Sequence, residues 1–296
     1  MHAVFDLDRP DAYRRWRDAK TARHPARVDD LVVEVADPRR LSDGERTALL
    51  ERCANANMAI YRSPVKAADR DVPQRLAQQL GVAGLDGNWL ADEDGISSIT
   101  VSGPDGGRAA FIPYTTRAIK WHTDGYYHPH ARRIRAMLLH CVAPAREGGG
   151  NALMDHEMAY IAVREADSEL VRALMAPDAM TIPARLDDDG VARAEQTGPV
   201  FAVDADTGTL HMRYTARTRS IAWKDDPATR AAVALLESLL GRAHPFLFRV
   251  TLEAGMGIVC NNVLHDRSAF VDDPQQPRLL YRARYRNRVA VPCRTS

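Results

Sequence analysis

Apolar positions fall in two rhythms along the chain. Up to about residue 80, strand-length apolar runs alternate with segments of helical period. Residues 9–22 are polar and arginine-rich and predict a surface helix, and residues 31–35 (L-V-V-E-V) predict a strand. Ser42-Asp43-Gly44-Glu45 is a capping box, in which Ser42 caps a backbone N–H and Glu45 reaches back. The helix it opens carries Leu49, Leu50 and Cys53 on one side. Residues 58–61 predict a buried strand, and residues 74–80 a helix ended by Gly81.

Beyond residue 97 the rhythm changes to short strands between turn residues, expected at 99–101, 134–142, 200–203, 210–214, 246–250, 257–260 and 278–285. Asp204-Ala205-Asp206-Thr207-Gly208 has the residues of a hairpin turn. Two helices interrupt this region. One is expected over 156–167 with Asp155 as cap; the other starts at Asp226-Pro227, buries Val233, Leu236 and Leu240, and stops at Gly241. Many short strands with helical insertions predict a mainly β sandwich or open barrel with helices packed outside. No linker divides the chain, so residues 1–296 are expected to form a single domain, with an N-terminal α/β portion at 1–96 and the β-rich core at 97–290.

Composition narrows the class without naming a chemistry. The 296 residues suffice for a core that needs no staples. Forty Lys and Arg against 39 Asp and Glu leave a net charge of +1, which argues against a nucleic-acid partner. Four scattered cysteines suit a reducing compartment. The opening M-H-A-V-F-D-L-D-R-P lacks a basic segment followed by an apolar run, and no stretch has the apolar length of a membrane span. A cytoplasmic protein with a small-molecule partner and no membrane or nucleic-acid partner is the expectation. Oligomeric state is left open, a homo-oligomer included.

Most of the ten histidines read as solvated or as hydrogen-bonded structural groups. Two stand apart. Trp121-His122-Thr123-Asp124-Gly125 puts an imidazole and a carboxylate two residues apart, on one face if the segment is extended. His265 follows an apolar strand in Cys260-Asn261-Asn262-Val263-Leu264-His265-Asp266. Two histidines and one carboxylate make the facial triad that leaves open positions on ferrous iron. Arg278, Leu280, Arg282 and Arg284 then share one face of a strand, and guanidinium is the group suited to bidentate capture of a carboxylate. The plainer reading of that ladder is an exposed edge strand blunted by charge.

In combination these residues resemble the taurine/2-oxoglutarate dioxygenase (TauD/TfdA-like) family of Fe(II)/2-oxoglutarate-dependent oxygenases. The matching pieces run in order: L-A-Q-Q-L-G, W-H-T-D, I-R-A-M-L-L-H-C-V-A-P, E-G-G-G-N-A-L-M-D, N-N-V-L-H-D-R and P-R-L-L-Y-R-A-R-Y. The resemblance implies a double-stranded β-helix (jelly-roll) core with flanking helices, and Fe(II), 2-oxoglutarate and O2 as cofactor and co-substrates. It matches His122, Asp124 and His265 to the metal ligands and catalytic centre. It matches Arg278 to the arginine for the distal carboxylate of 2-oxoglutarate, and Arg282 to a position touching co-substrate or substrate. Asp124 favours hydroxylation, or hydroxylation followed by fragmentation or desaturation, because halogenating relatives lack this carboxylate. One position departs: where the family has a threonine that helps hold 2-oxoglutarate, this chain has Ala152, and Asn151 is the candidate replacement.

The prime substrate is read from what surrounds these motifs. Trp121 and Tyr126 could wall a pocket, and His211, Arg213, Thr215, Arg217 and Arg219 would form a basic file if 210–219 stays extended. With Arg282 and Arg213 near the iron, the expected substrate is small and anionic or amino-acid-like. Asp155 and Glu157 are expected to serve the helix dipole rather than a cationic substrate. Two other classes compete: a metal-binding jelly roll acting as sensor or store, and a facial-triad enzyme that does not use 2-oxoglutarate. The first of these leaves the Arg278/Arg282 pair without a purpose.

Overall fold

The computed structural model describes residues 3–87, 92, 94–103, 108, 111–187, 190–217 and 221–289. From the N-terminus these form α1 (Pro10–Arg23), β1 (Val32–Glu34), α2 (Asp43–Ala56), β2 (Met58–Arg62), α3 (Asp71–Gln79), β3 (Ser97–Ile99), β4 (Ile119–His122) and β5 (Ala136–Ala143). Next come β6 (Glu147–Gly148), β7 (Asn151–Met154), α4 (His156–Ala166), α5 (Ser168–Leu174), β8 (Met180–Ile182), β9 (Arg185–Asp187), β10 (Gly190–Arg193), β11 (Gln196–Gly198), β12 (Phe201–Val203), β13 (Leu210–Met212) and β14 (Ala222–Trp223). The chain closes with α6 (Pro227–Leu240), β15 (Leu247–Val250), β16 (Met256–Cys260), β17 (Leu264–Arg267), β18 (Phe270–Val271) and β19 (Leu279–Tyr285). No described helix is long and apolar enough to cross a membrane. The elements gather into two compact units interleaved in sequence: Met1–His24, Lys120–Arg133 and Met154–Leu247 make one, and Pro25–Ile119, Ile134–Leu153 and Phe248–Ser296 the other.

The second unit is the β core. Its main sheet has the order β1-β2-β16-β5-β19-β3, and β15, β7 and β17 are successive neighbours in another sheet. Met58, Ile60, Met137, Leu139, Ile258 and Leu280 from the main sheet pack with Leu153 and Phe248 from the other and with Val263 just before β17, which is the filled interior of a jelly roll. The alternate residues of the same strands face out. Tyr61, Leu138, Val259, Tyr281, Ala283 and Tyr285 pack under Leu49, Leu50 and Cys53 of α2 and Leu76 and Ala77 of α3. Each such leucine contributes roughly 1.5–3 kcal/mol by leaving water. The helices are also held at their starts. Ser42 Oγ accepts the Glu45 N–H at 3.3 Å, and the Glu45 carboxylate accepts the Ser42 N–H at 2.7 Å.

β19 lies between β5 and β3, so the edge-strand reading of the arginine ladder does not hold. Its third rung is structural: Arg284 is buried and donates to Asp86 Oδ2 at 2.8 Å.

His140 on β5 is sealed in this core. Its Nδ1 is 2.8 Å from the Tyr61 hydroxyl, and its Nε2 has no hydrogen-bond partner. Tyr61 can lie across β16 because residue 257 is glycine; a Cβ there would sit 2.4 Å from the Tyr61 hydroxyl oxygen. Burial lowers the His140 pKa from 6.5 to about 4. The folded state therefore keeps this imidazole neutral while the unfolded chain takes a proton below about 6.5. Stability should fall as the pH drops through that window, by up to about 1.4 kcal/mol per pH unit from this group. Urea midpoints at pH 7 and pH 5 check it. The wild type should lose more between them than His140→Gln, and equal losses would show that His140 does not titrate with folding.

In the first unit, Asp155 caps α4 by accepting the Glu157 N–H at 2.9 Å, and Asp226 caps α6 by accepting the Thr229 N–H at 2.9 Å. Phe5, Trp16 and Phe201 pack edge-on around Tyr160 of α4. The carboxylates of Asp155 and Glu157 have an internal cation: Lys20 Nζ of α1 lies 2.6 Å from each. Burial alone would lower the Lys20 pKa, but the two carboxylates outweigh it and raise it. They serve the helix start, as the dipole reading expected, and also this lysine, which that reading did not include. The 204–208 turn closes the β12–β13 hairpin, with Asp204 Oδ1 accepting the Thr207 N–H at 3.0 Å. Helix α5 and strands β8 to β11 and β14 had no counterpart in the sequence pattern; each is seven residues or shorter.

Candidate metal centre

The H-x-D segment is extended because it has a neighbour. Thr123 N–H donates to the Tyr214 carbonyl at 3.0 Å, Ala216 N–H to the Trp121 carbonyl at 2.8 Å, and Tyr214 N–H to Thr123 Oγ1 at 3.1 Å. This antiparallel pairing sets His122 opposite Thr215. Extended backbone then sends His122 and Asp124 to the same side, with His122 Nε2 3.7 Å from Asp124 Oδ1. The intervening Thr123 is fully buried, and Trp121 is buried as well. His122 Nδ1 is 2.9 Å from the Lys120 carbonyl. A carbonyl only accepts, so the proton is on Nδ1 and the lone pair on Nε2.

His265 repeats this arrangement on β17, with Nδ1 2.9 Å from the Val263 carbonyl. The paired asparagines before it explain its placement. Asn261 N–H donates to the Asn57 carbonyl at 2.7 Å, and Asn261 Oδ1 accepts the Val289 N–H at 2.9 Å. Asn262 takes a left-handed φ of 53° and donates through Nδ2 to the Ile134 carbonyl at 2.7 Å. The chain leaving β16 is thus pinned on both sides before it enters β17.

One ligand atom from each of His122, Asp124 and His265 lies within 4.8 Å of the others. Two imidazoles whose Nδ1–H groups are each tied to a carbonyl, and one carboxylate, are the donor set of a two-histidine, one-carboxylate iron site. The residues fit the metal the sequence implied.

Arg278 is 5% exposed. Among the described residues no carboxylate lies within ion-pair distance of its guanidinium; Asp272 accepts the backbone N–H of Arg278 instead, at 2.7 Å. Burial lowers its pKa, and the Phe270 ring lies 5.0 Å from the guanidinium carbon. A small cavity beside it is lined by Cys141, Gly148, Gly149, Thr251, Leu252 and Leu280 among others. Residue 149 has φ +69°, and a Cβ there would come 3.5 Å from Arg278 Nε, so glycine keeps the guanidinium approachable. Arg282, opposite Leu139 in the sheet, is half-buried.

Asn151 and Ala152 sit on β7 against β17. Asn151 Nδ2 donates to the Asp266 carbonyl at 2.9 Å, and the Ala152 N–H donates to the Asp266 carboxylate at 2.9 Å. That bond uses one of the two Nδ2 hydrogens, so the second is left as a donor, while Oδ1 is buried without a hydrogen-bond partner.

The basic file is broken. β13 ends at Met212, and Arg219 lies outside the described residues. Arg213 is committed to backbone: it donates to the carbonyls of Tyr126 at 2.7 Å, Met180 at 3.1 Å and Gln196 at 2.6 Å. Its pKa falls to about 10 through burial and the neighbouring Arg133 and Arg193. It braces three segments, which corrects the expectation that it is held ready for substrate. Tyr126 does stand at the centre, its ring centroid 6.4 Å from that of His122.

Two residues escaped the sequence reading. Arg267, two after His265, is buried and donates to the Pro113 carbonyl at 3.1 Å and those of Thr115 and Arg117, fixing the chain just before β4. Its place in H-D-R was the available signal. Arg193 on β10 had none; its guanidinium carbon lies 5.6 Å from the Tyr127 ring centroid.

The model of the family described as taurine catabolism dioxygenase TauD, TfdA family, matches residues 33–284. A uridine-5'-phosphate dioxygenase of Streptomyces sp. is 32% identical over 213 residues, which are 68% of this chain and 72% of that protein. Among solved structures, the non-heme iron oxygenase OrfP in complex with Fe and alpha-ketoglutaric acid superposes with a TM-score of 0.61 at 16% identity, covering 84% of this chain and 81% of that one. A taurine dioxygenase from Burkholderia xenovorans gives a TM-score of 0.58 at 19% identity, covering 88% and 89%.

Proposed function

The chain belongs to the TauD/TfdA family of Fe(II)- and 2-oxoglutarate-dependent dioxygenases, and from that premise we propose that it hydroxylates a small anionic substrate at a centre formed by His122, Asp124 and His265. We read residues 1–296 as one dioxygenase domain, since the family match at 33–284 runs through segments of both compact units. A cytoplasmic location fits Cys53, Cys141 and Cys260, which are thiols.

The observation that carries the reading is Arg278, a buried cation whose guanidinium has, among the described residues, no carboxylate within ion-pair distance, the Asp272 carboxylate being taken by its backbone N–H. Leaving a guanidinium dry and unpaired is costly, so an anion from outside is required, and the planar fork suits the distal carboxylate of 2-oxoglutarate. Iron held by the triad would supply the activation of O2, the overall reaction turning 2-oxoglutarate, O2 and substrate into succinate, CO2 and the hydroxylated product. The protein's own part is positioning. The carbonyls of Lys120 and Val263 fix the tautomers and aim both Nε2 lone pairs. Phe270 and Leu280 keep water from the Arg278 ion pair, and Thr251 offers a hydroxyl in place of the one missing at Ala152. Arg282 and Tyr126 remain for the substrate side. The relative from Streptomyces makes a nucleoside 5′-phosphate the favoured substrate class.

Anaerobic titration of the Fe(II)-loaded protein with 2-oxoglutarate tests this. A visible charge-transfer band saturating with 2-oxoglutarate is expected, and its absence would leave a sensor or a 2-oxoglutarate-independent enzyme as the better reading.

A further inference from the structure

Beside His122 the first unit holds cations that neither the metal nor the co-substrate uses. The 214–216 segment runs antiparallel to 121–123, with Thr215 opposite His122, and Arg217 follows two residues on. The Tyr126 ring centroid is 6.4 Å from that of His122 and 5.2 Å from that of Tyr127, which has the Arg193 guanidinium carbon 5.6 Å from its own centroid; the Arg217 N–H donates to Thr215 Oγ1 at 3.4 Å. Arg217 and Arg193 are both within electrostatic reach of Tyr126. Arg193 anchors one nitrogen, Nη2 donating to the Pro183 carbonyl at 2.7 Å, while its Nη1 is buried with no partner. Neither Arg193 nor Arg217 has a carboxylate within ion-pair distance among the described residues. Arg213, by contrast, is consumed by three carbonyls and holds Tyr126 in place through one of them.

Two arginines and two hydroxyls therefore gather around His122, and among the described residues neither arginine has an acid within ion-pair distance. A tyrosine hydroxyl and a threonine hydroxyl each carry one O–H, so both can donate. Clustered cations without counter-ions repel one another and are tolerated where a multiply charged anion joins them. A carboxylate would satisfy one fork. A phosphate monoester, with up to two negative charges and three terminal oxygens, can accept from both arginines and from a hydroxyl at once.

We propose that Arg193, Arg217 and the Tyr126–Thr215 hydroxyl pair form the subsite that receives the phosphate group of the prime substrate. This rests on the anionic-substrate reading above, with its nucleoside 5′-phosphate class, and goes further in assigning the phosphate's contacts to residues other than Arg213 and Arg282. Arg213 becomes a positioning residue for Tyr126.

Calorimetric titration of the Fe(II)-loaded protein with uridine 5′-phosphate, uridine and inorganic phosphate, alongside Arg217→Gln, Arg193→Gln and Arg217→Lys, tests the assignment. Wild type should bind uridine 5′-phosphate at least about 30-fold more tightly than uridine, the scale of one desolvated charge pair. Each glutamine variant should lose on the order of 30-fold for the nucleotide and little for uridine, with Arg217→Lys in between. The 2-oxoglutarate band should be unchanged in all three, which reports an intact fold and separates this claim from the one above. Equal affinity for uridine and its phosphate, no binding of any of the three probes to wild type, or glutamine variants that bind the nucleotide as wild type does would each overturn the subsite. Loss of the 2-oxoglutarate band in wild type would instead overturn the proposed function, and nucleotide binding would still decide the subsite.

Discussion

Alanine at His122, Asp124 or His265 is expected to reduce substrate-stimulated succinate formation by more than about 100-fold, beyond the ~10–100-fold typical of partners one shell out. Iron content after anaerobic loading should fall in parallel. The fold should survive, because a metal ligand contributes chemistry rather than core volume. Of the three, Asp124 and His265 are buried, but neither belongs to the apolar packing that holds the sheets together. Circular dichroism and the melting temperature check the fold, and metal analysis with succinate assay checks the centre. Should His265→Ala keep both iron and turnover, the third ligand has been placed on the wrong residue.

The second large effect concerns Arg278. Arg278→Ala should raise the 2-oxoglutarate concentration needed for half-saturation of the charge-transfer band by roughly 30-fold or more, since truncating one partner of a desolvated pair costs roughly 2–5 kcal/mol. Arg278→Lys should recover part of this, as an ammonium carries the charge but not the planar fork. The arginine four residues on separates the roles. If Arg282→Ala shifted the 2-oxoglutarate titration strongly and Arg278→Ala hardly at all, the distal carboxylate would belong to Arg282.

What the sequence made legible was local. The capping residues Ser42, Asp155 and Asp226 act within three residues of themselves, so a linear reading finds them. The H-x-D face follows from the two-residue period of extended chain, and the alternation of β19 placed Tyr281, Ala283 and Tyr285 together as expected. What it hid was tertiary. Nothing near Arg284 announces Asp86, which is 198 residues away. Arg213, Arg217 and Arg278 look alike in sequence, and only the surrounding carbonyls show that Arg213 is a brace. β7 is four buried residues, N-A-L-M, too short to express a period. The partner that keeps 121–123 extended starts about ninety residues downstream, at Tyr214.

The thiols of Cys53 on α2, Cys141 on β5 and Cys260 on β16 are all closed off from solvent. Burial pushes the pKa of Cys53 well above the ordinary thiol range and that of Cys141 up to about 11, so neither offers a thiolate at neutral pH. An alkylating reagent can reach them only when the surrounding structure opens. They sit on three different elements of the β core, and so each keeps time for its own neighbourhood. Modification rates at Cys53 would clock the lifting of α2 from the sheet, and those at Cys141 and Cys260 the parting of the central strands. The protein thus carries built-in probes of its own breathing, with no label to be engineered.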